Sequence, residues 1–124
     1  MSRVESNTTA SRNGHSIESQ ICDFLGIPHD PNAIVDAYLD DKPLEIKSCQ
    51  IVIGDNSHPN GIRSGRFKFN QEQHMYLTEN DGIYALVVHR DGEFEHTRLI
   101  KASLITGISG RSCGKTWRGV MAGV

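Results

Sequence analysis

Apolar positions along the chain switch between a helical period and a two-residue period, and the switches mark the elements. From Ser16 to Leu25, Ile17, Ile21, Phe24 and Leu25 fall at i, i+4, i+7 and i+8, the stripe of an amphipathic helix. Gly26 is placed to end it, and Glu18 lies on the flank of the stripe. Pro28 and Pro31 carry the chain onward in extended form. Ile34 to Leu39 then reads as a strand, Asp40-Asp41-Lys42 as a tight turn, and Leu44 to Ile53 as a longer strand. Pro43 stands at that strand's start, where a missing donor is tolerated. Gly54 to Gly65 is a loop by composition. Arg66 to Phe69 is a brief extended piece with Phe67 and Phe69 on one face. Asn70 offers an N-cap to a helix from Gln71 to Glu79, which Asn80-Asp81-Gly82 ends. Ile83 to His89 is a buried strand, Asp91-Gly92 a hairpin turn and Glu93 to Ile100 the return strand. A short helix or strand is expected around Ala102 to Ile108, and a loop from Ser109 to Gly114. Residues 1–13 are Ser/Thr/Asn-rich without periodicity and read as a disordered tail, leaving 14–124 as a single mixed α/β domain with helices against a small sheet.

Composition narrows the class. Only 37% of the residues are hydrophobic, and no apolar run approaches the roughly 18 residues of a membrane span, so no membrane partner is expected. The first residues lack the apolar stretch of a signal peptide, which makes a cytoplasmic location the expectation. It also removes the meaning of the sequon Asn7-Thr8-Thr9. Cys22, Cys49 and Cys113 are widely spaced and form no C-x-x-C pair, so reduced thiols are expected rather than a disulfide framework or a zinc site. The formal net charge of −2 does not suggest a polyanion partner, but its distribution does. All 15 acidic residues lie at or before Glu95. Arg98, Lys101, Arg111, Lys115 and Arg118 follow, and an acid-free stretch holds Arg63, Arg66 and Lys68. An acidic centre flanked by basic segments suits an enzyme that holds a metal while touching a polyanion, although a solvated surface has the same composition.

The acidic centre has a chemistry. Glu45 and Lys47 are two apart on one strand and share a face, with Leu44 and Ile46 on the other. Asp36, on the preceding strand, can reach the same polar face. Two carboxylates and an ammonium at a strand edge suit Mg²⁺, which takes oxygen ligands and keeps several waters. Asp36 and Glu45 are the candidate ligands, the carbonyl of Ile46 a third, and Glu18 an additional carboxylate. A metal there would polarise a phosphate and lower the pKa of a bound water. Lys47 would orient that water and stabilise charge in the transition state; acting as a base would require a depressed pKa. The same tripeptide also serves many proteins as a solvated ion-pair face.

The arrangement resembles the PD-(D/E)xK nuclease superfamily, in particular archaeal Holliday-junction resolvases and small restriction- or homing-type endonucleases. That pattern is a helix bearing Glu, a strand with Asp and a following strand with (D/E)-x-K, matched here by Glu18, Asp36, Glu45 and Lys47, with Ser48-Cys49 after the lysine. The resemblance covers residues 14–50 and, more weakly, 65–88. It implies a restriction-endonuclease-like αβββαβ core with a mixed central sheet flanked by helices. It also implies DNA as partner, phosphodiester hydrolysis with Mg²⁺ (Mn²⁺ substituting), and a homodimer that cuts two strands. Val35 stands where the family has a proline. Gln73 and Tyr76 are one residue short of a QxxxY element, so an exonuclease is not inferred. Gln73 and Ser48 are candidates to support the site from behind, and His74 can face it too; ordinary helix surface is the alternative for Gln73 and His74. The resemblance leaves open a branched junction or a specific duplex sequence as substrate, and a non-catalytic DNA-binding or assembly protein as the rival.

Other motifs carry less. Ser109 to Thr116 approximates a phosphate-binding loop, but serine replaces the first glycine and few residues follow Thr116 to form the required helix, so no nucleotide cofactor is expected. Arg111 and Lys115 in that segment join Arg63, Arg66 and Lys68 as candidates for contact with a DNA backbone, while Trp117 is expected to pack. The six histidines show no metal-ligand spacing with each other or with cysteine, so zinc is not expected; His58 is a candidate for substrate contact only by its place in the long loop.

Overall fold

The computed structural model describes residues 9–30 and 33–123. Helix α1 (Thr9–Leu25) begins earlier than the apolar stripe predicts, so residues 9–13 of the expected tail are helical, and residues 1–8 lie outside the described residues. Strands β1 (Ala37–Leu39), β2 (Lys42–Gln50), β3 (Val52–Gly54), β4 (Ile62–Ser64) and β5 (Arg66–Phe69) follow, then helix α2 (Gln71–Glu79). Strands β6 (Ile83–Arg90) and β7 (Glu93–Lys101), a 3-10 turn at Ala102–Leu104, β8 (Cys113–Thr116) and α3 (Trp117–Ala122) complete the chain.

The central sheet has the order β1-β2-β6-β7. Its one parallel pair is β2 with β6, in register from Leu44↔Ile83 to Gln50↔His89; the outer pairs are antiparallel. This is the mixed α/β sheet flanked by helices that the resemblance implies. Two-residue turns close both antiparallel pairs. Asp40 and Asp41 sit at φ 51° and 67°, and Asp91 and Gly92 at 51° and 94°. Positive φ at both central residues gives the turn whose twist matches the flanking strands.

Strand alternation gives the sheet two cores. On one face Leu44, Ile46, Ala85 and Val87 pack against Ile17, Ile21 and Cys22 of α1. On the other, Tyr84, Leu86, Val88 and Cys49 pack against Leu77 of α2, Phe67 and Phe69 of β5, and Trp117 and Val120 of α3. Tryptophan therefore packs as expected. Phe24 does not: it is 87% exposed, because the buried stripe of α1 runs through Cys22 instead.

Other boundaries also differ from the pattern reading: the expected strand 34–39 begins only at Ala37, so Asp36 lies just before it. The expected strand 44–53 breaks at Ile51, whose N–H bonds the His89 carbonyl while β3 turns away to pair with β4. The expected loop 54–65 therefore contains β4. Cys113 begins a strand rather than ending a loop, since β8 pairs antiparallel with β5. A short helix also follows Thr116, contrary to expectation, with the Thr116 hydroxyl capping the Gly119 N–H. The strand before it belongs to a sheet and is no phosphate loop. Gly65 lies where this ribbon crosses the end of β2, and a Cβ there would run into the Gln50 carbonyl. Only glycine permits that approach. Trp117 secures the crossing, donating its backbone N–H to Gly65 O (3.1 Å) and its indole N–H to Ile51 O (2.8 Å).

Candidate active site

The end of α1 sets up the first half of the site. Gly26 is left-handed (φ 71°), its N–H bonds Asp23 O, and the Ile27 N–H reaches back to Cys22 O. This pair of bonds is the Schellman termination, and it folds the chain back along the helix. His29 is thereby laid against Glu18, with Nε2 3.1 Å from Oε1. The Asp30 N–H bonds the Asp36 carbonyl (2.7 Å), which closes the loop and brings Asp36 to the same place. Asp36 Oδ1 stands 3.8 Å from His29 Nε2. Ligand atoms of Glu18, His29 and Asp36 all lie within 4.8 Å of one another.

The second half lies on β2. Asp36 precedes β1 and is stitched to β2 twice: its N–H donates to Glu45 Oε1 (3.1 Å), and its Oδ2 accepts the Ile46 N–H (2.8 Å). In a strand the N–H and C=O of one residue point to the same edge, so the Ile46 carbonyl faces this side too. Glu45 Oε2 lies 3.5 Å from Lys47 Nζ. Four residues named from the sequence, Glu18, Asp36, Glu45 and Lys47, thus form one continuous set with Asp36 at its centre. Glu45 itself is turned toward Lys47 and the backbone, and it stands outside the group of converging donors.

Burial shapes the electrostatics. Glu45 is 8% exposed, and burial together with the neighbouring Asp36 charge pushes its carboxyl up to about 8; Lys47 and a hydrogen bond from Gln73 act in the opposite direction. A carboxyl that holds its proton beside another carboxylate marks a place short of positive charge. Two carboxylates and an imidazole converging there fit a divalent cation.

Gln73 of α2 reaches the site, with Nε2 donating to Ile34 O at 2.9 Å and Oε1 buried without a hydrogen-bond partner among the described residues. His74 instead turns to Tyr84, with Nδ1 2.8 Å from the phenol oxygen and the rings stacked. Tyr84 is the register partner of Glu45, so His74 sits behind the site. Tyr76 pairs with Tyr38 through their hydroxyls at 2.8 Å. Histidine spacing along the chain gave no reason to place His29 beside the carboxylates, and the fold brings it there. A usable signal was present: a glycine terminator sends the next residues back past the last turns of the helix.

The basic candidates divide. Arg63, Arg66 and Lys68 line a groove of about 230 Å³ with Ser48, Cys49 and Gln50 at the end of β2. Ser48 therefore belongs to this groove. Arg66 and Lys68 flank Gly114 on the outer face of the β5–β8 ribbon. Arg63 is held by Asp55 (Nε–Oδ2 3.0 Å). Lys115 stands opposite Phe67 on the other face of the ribbon, and Arg111 lies beside the start of α2, where its carbonyl accepts from Asn70. These last two do not join the groove. His58 is exposed at the tip of the β3–β4 connection, where its N–H bonds Asp55 O.

The family model for the PD-(D/E)XK nuclease superfamily domain matches residues 4–120, from α1 through β8 and into α3. No curated protein and no solved structure matches the chain significantly. With the mixed sheet, the carboxylate-bearing helix and the Glu-x-Lys strand in the expected order, the chain belongs to the PD-(D/E)XK nuclease superfamily.

Proposed function

We propose that the protein is a divalent-metal-dependent DNA endonuclease using Mg²⁺ or Mn²⁺, most similar in action to structure-selective enzymes of the Holliday-junction-resolvase kind. The observation that carries this reading is the unbroken chain of contacts Glu18–His29–Asp36–Glu45–Lys47. Glu18, His29 and Asp36 would hold the ion, with the Ile46 carbonyl and Glu45 beside it. Once bound, the ion supplies a polarised phosphate and a water of lowered pKa. Lys47 places its amine on the same strand face and would stabilise negative charge growing on the phosphate. Asp36 fixes the geometry, because one carboxylate oxygen is tied to the backbone of β2 while its own backbone N–H orients Glu45. Arg66 and Lys68 are placed to hold backbone phosphates without reading bases.

A homodimer would supply two such sites. Strand β7 is an outer strand of the sheet, with Phe94 exposed beside Phe24 and Leu99 exposed farther along it. Glu93 and Glu95 open it and Arg98 and Lys101 close it, so antiparallel pairing with a second copy sets acid against base.

Incubation with supercoiled plasmid and with synthetic four-way junctions, in Mg²⁺, in Mn²⁺ or in EDTA, tests the function. Cleavage is expected with either ion, faster on the junction, and lost in EDTA and in Lys47→Ala. An inert wild type, or a Lys47→Ala variant that cuts equally well, would falsify the assignment.

A further inference from the structure

His29 brings a nitrogen into a site otherwise made of oxygen. Its side chain is 13% exposed, and it is held there by backbone, through the Gly26 termination on one side and the Asp30–Asp36 bond on the other. Nε2 is the ring atom that faces both Glu18 Oε1 and Asp36 Oδ1. Such a preset imidazole is poorly matched to Mg²⁺, which prefers oxygen in a near-octahedral shell and gives up water reluctantly. First-row transition ions accept imidazole nitrogen and carboxylate oxygen together. We propose that His29 is a metal ligand that selects a first-row transition ion, with Mn²⁺ as its hard-ligand representative, over Mg²⁺ at the Glu18–His29–Asp36 centre. The inference rests on the metal-centre reading above and deepens it by naming the class of ion and the residue that chooses it.

An all-oxygen site already binds Mn²⁺ somewhat more tightly than Mg²⁺, so preference alone is a weak readout. The decisive quantity is how the preference responds to the nitrogen. The rival role for His29 is a purely structural contact with Glu18 and Asp36, which would change the affinities for both ions in parallel.

The test uses the full chain freed of metal. Mn²⁺ binding is followed by loss of the free-ion electron paramagnetic resonance signal, Mg²⁺ by competition against it, and both by the shift in thermal unfolding. Wild type is expected to bind Mn²⁺ at least tenfold more tightly than Mg²⁺. His29→Ala is expected to lose about tenfold in Mn²⁺ affinity and far less for Mg²⁺, in line with the cost of removing one supporting group at a metal centre. His29→Asp replaces nitrogen by oxygen and is expected to recover Mg²⁺ affinity while leaving the preference reduced. This second variant keeps the test meaningful if alanine loosens the loop. A Mn²⁺-to-Mg²⁺ ratio that stays at its wild-type value in both variants overturns the role of His29 but leaves the metal centre standing. No response of the wild type to either ion overturns both.

Discussion

Glu45 and Lys47 share their strand face with packed apolar side chains, whereas Arg66 and Lys68 share theirs with solvent. Both pairs are charged residues two apart on a β-strand. In the first, β2 lies inside the sheet with α2 over it, and each charge feels its neighbours through a medium of low polarisability. Glu45 retains its proton to about 8 in consequence. In the second, water screens each charge, and Arg63 nearby is already engaged by Asp55. The same spacing therefore yields a buried, electrostatically coupled pair in one place and a solvated basic pair in the other. Burial and residue type together make the difference: only the first pair contains a carboxyl, and only there is it taken out of water.

The comparison can be broken most directly at Lys47. Lys47→Ala is expected to lower DNA cleavage by about 10²–10³-fold, the effect of removing one preorganised stabiliser of transition-state charge. Its thermal stability should change little, because Glu45 is largely neutral at pH 7 and is not left as a bare charge. A parallel loss of folding, seen in the unfolding curve, would show that the pair is structural.

Gly65→Ala tests whether the two regions are mechanically joined. A Cβ colliding with the Gln50 carbonyl should cost about 3 kcal/mol in chemical denaturation and move the Arg66–Lys68 groove relative to β2. An unchanged denaturation midpoint would mean that the crossing relaxes freely.

Glu45 also gives the buried region a pH signature. Its folded-state pKa lies above the unfolded value of about 4.5, so between these values the native state holds a proton that the unfolded state has lost. In the metal-free protein this group's contribution to stability should fall as pH rises from about 4.5 to about 8 and then level off, by about 2 kcal/mol after allowance for relaxation. Glu45→Gln should flatten that slope. A wild type whose metal-free stability is level across this window contradicts the buried state of the carboxyl.

In the solvated region the effects should be smaller and should scale with salt. Arg66→Ala with Lys68→Ala is expected to weaken DNA binding about tenfold at moderate salt and to reduce the slope of log affinity against log salt by about two. Arg63→Ala should change it less than either single substitution, because Asp55 already neutralises that guanidinium. Fluorescence anisotropy across a salt series measures both, and an Arg63 effect equal to that of Arg66 would place Arg63 on the phosphate.

Much of the central sheet is legible in the sequence because its strands alternate cleanly and its turns carry Asp-Asp and Asp-Gly. Asp36, Glu45 and Lys47 are legible because they lie on or beside one hairpin, where neighbours in sequence are neighbours in space. His29 is not, since its partnership with Glu18 depends on the left-handed Gly26 and the loop-closing bond to Asp36 rather than on any ligand spacing. Strand β8 is missed for a related reason. Cys113 to Thr116 has almost no apolar pattern, and it becomes a strand by pairing with β5. Phe24 misleads in the opposite way, fitting the helical period while lying beyond the edge of what the sheet covers. Local pattern reports which face a residue takes, and long-range pairing decides whether anything is there to meet it.

The parallel register of β2 with β6 sets an order of events during synthesis. Glu18 to Lys47 emerge early, yet Leu44 to Gln50 have no partner on their inner edge until Ile83 to His89 have been made and have crossed back over α2. Until then Glu45 stays in water and ionises as an ordinary carboxylate, and only the β1–β2 hairpin holds Asp36 beside it. The nascent chain therefore carries Glu18, Asp36 and Glu45 before the sheet that brings them together is complete. A protein built this way completes its cluster of carboxylates only when the second half of the sheet has closed over the first.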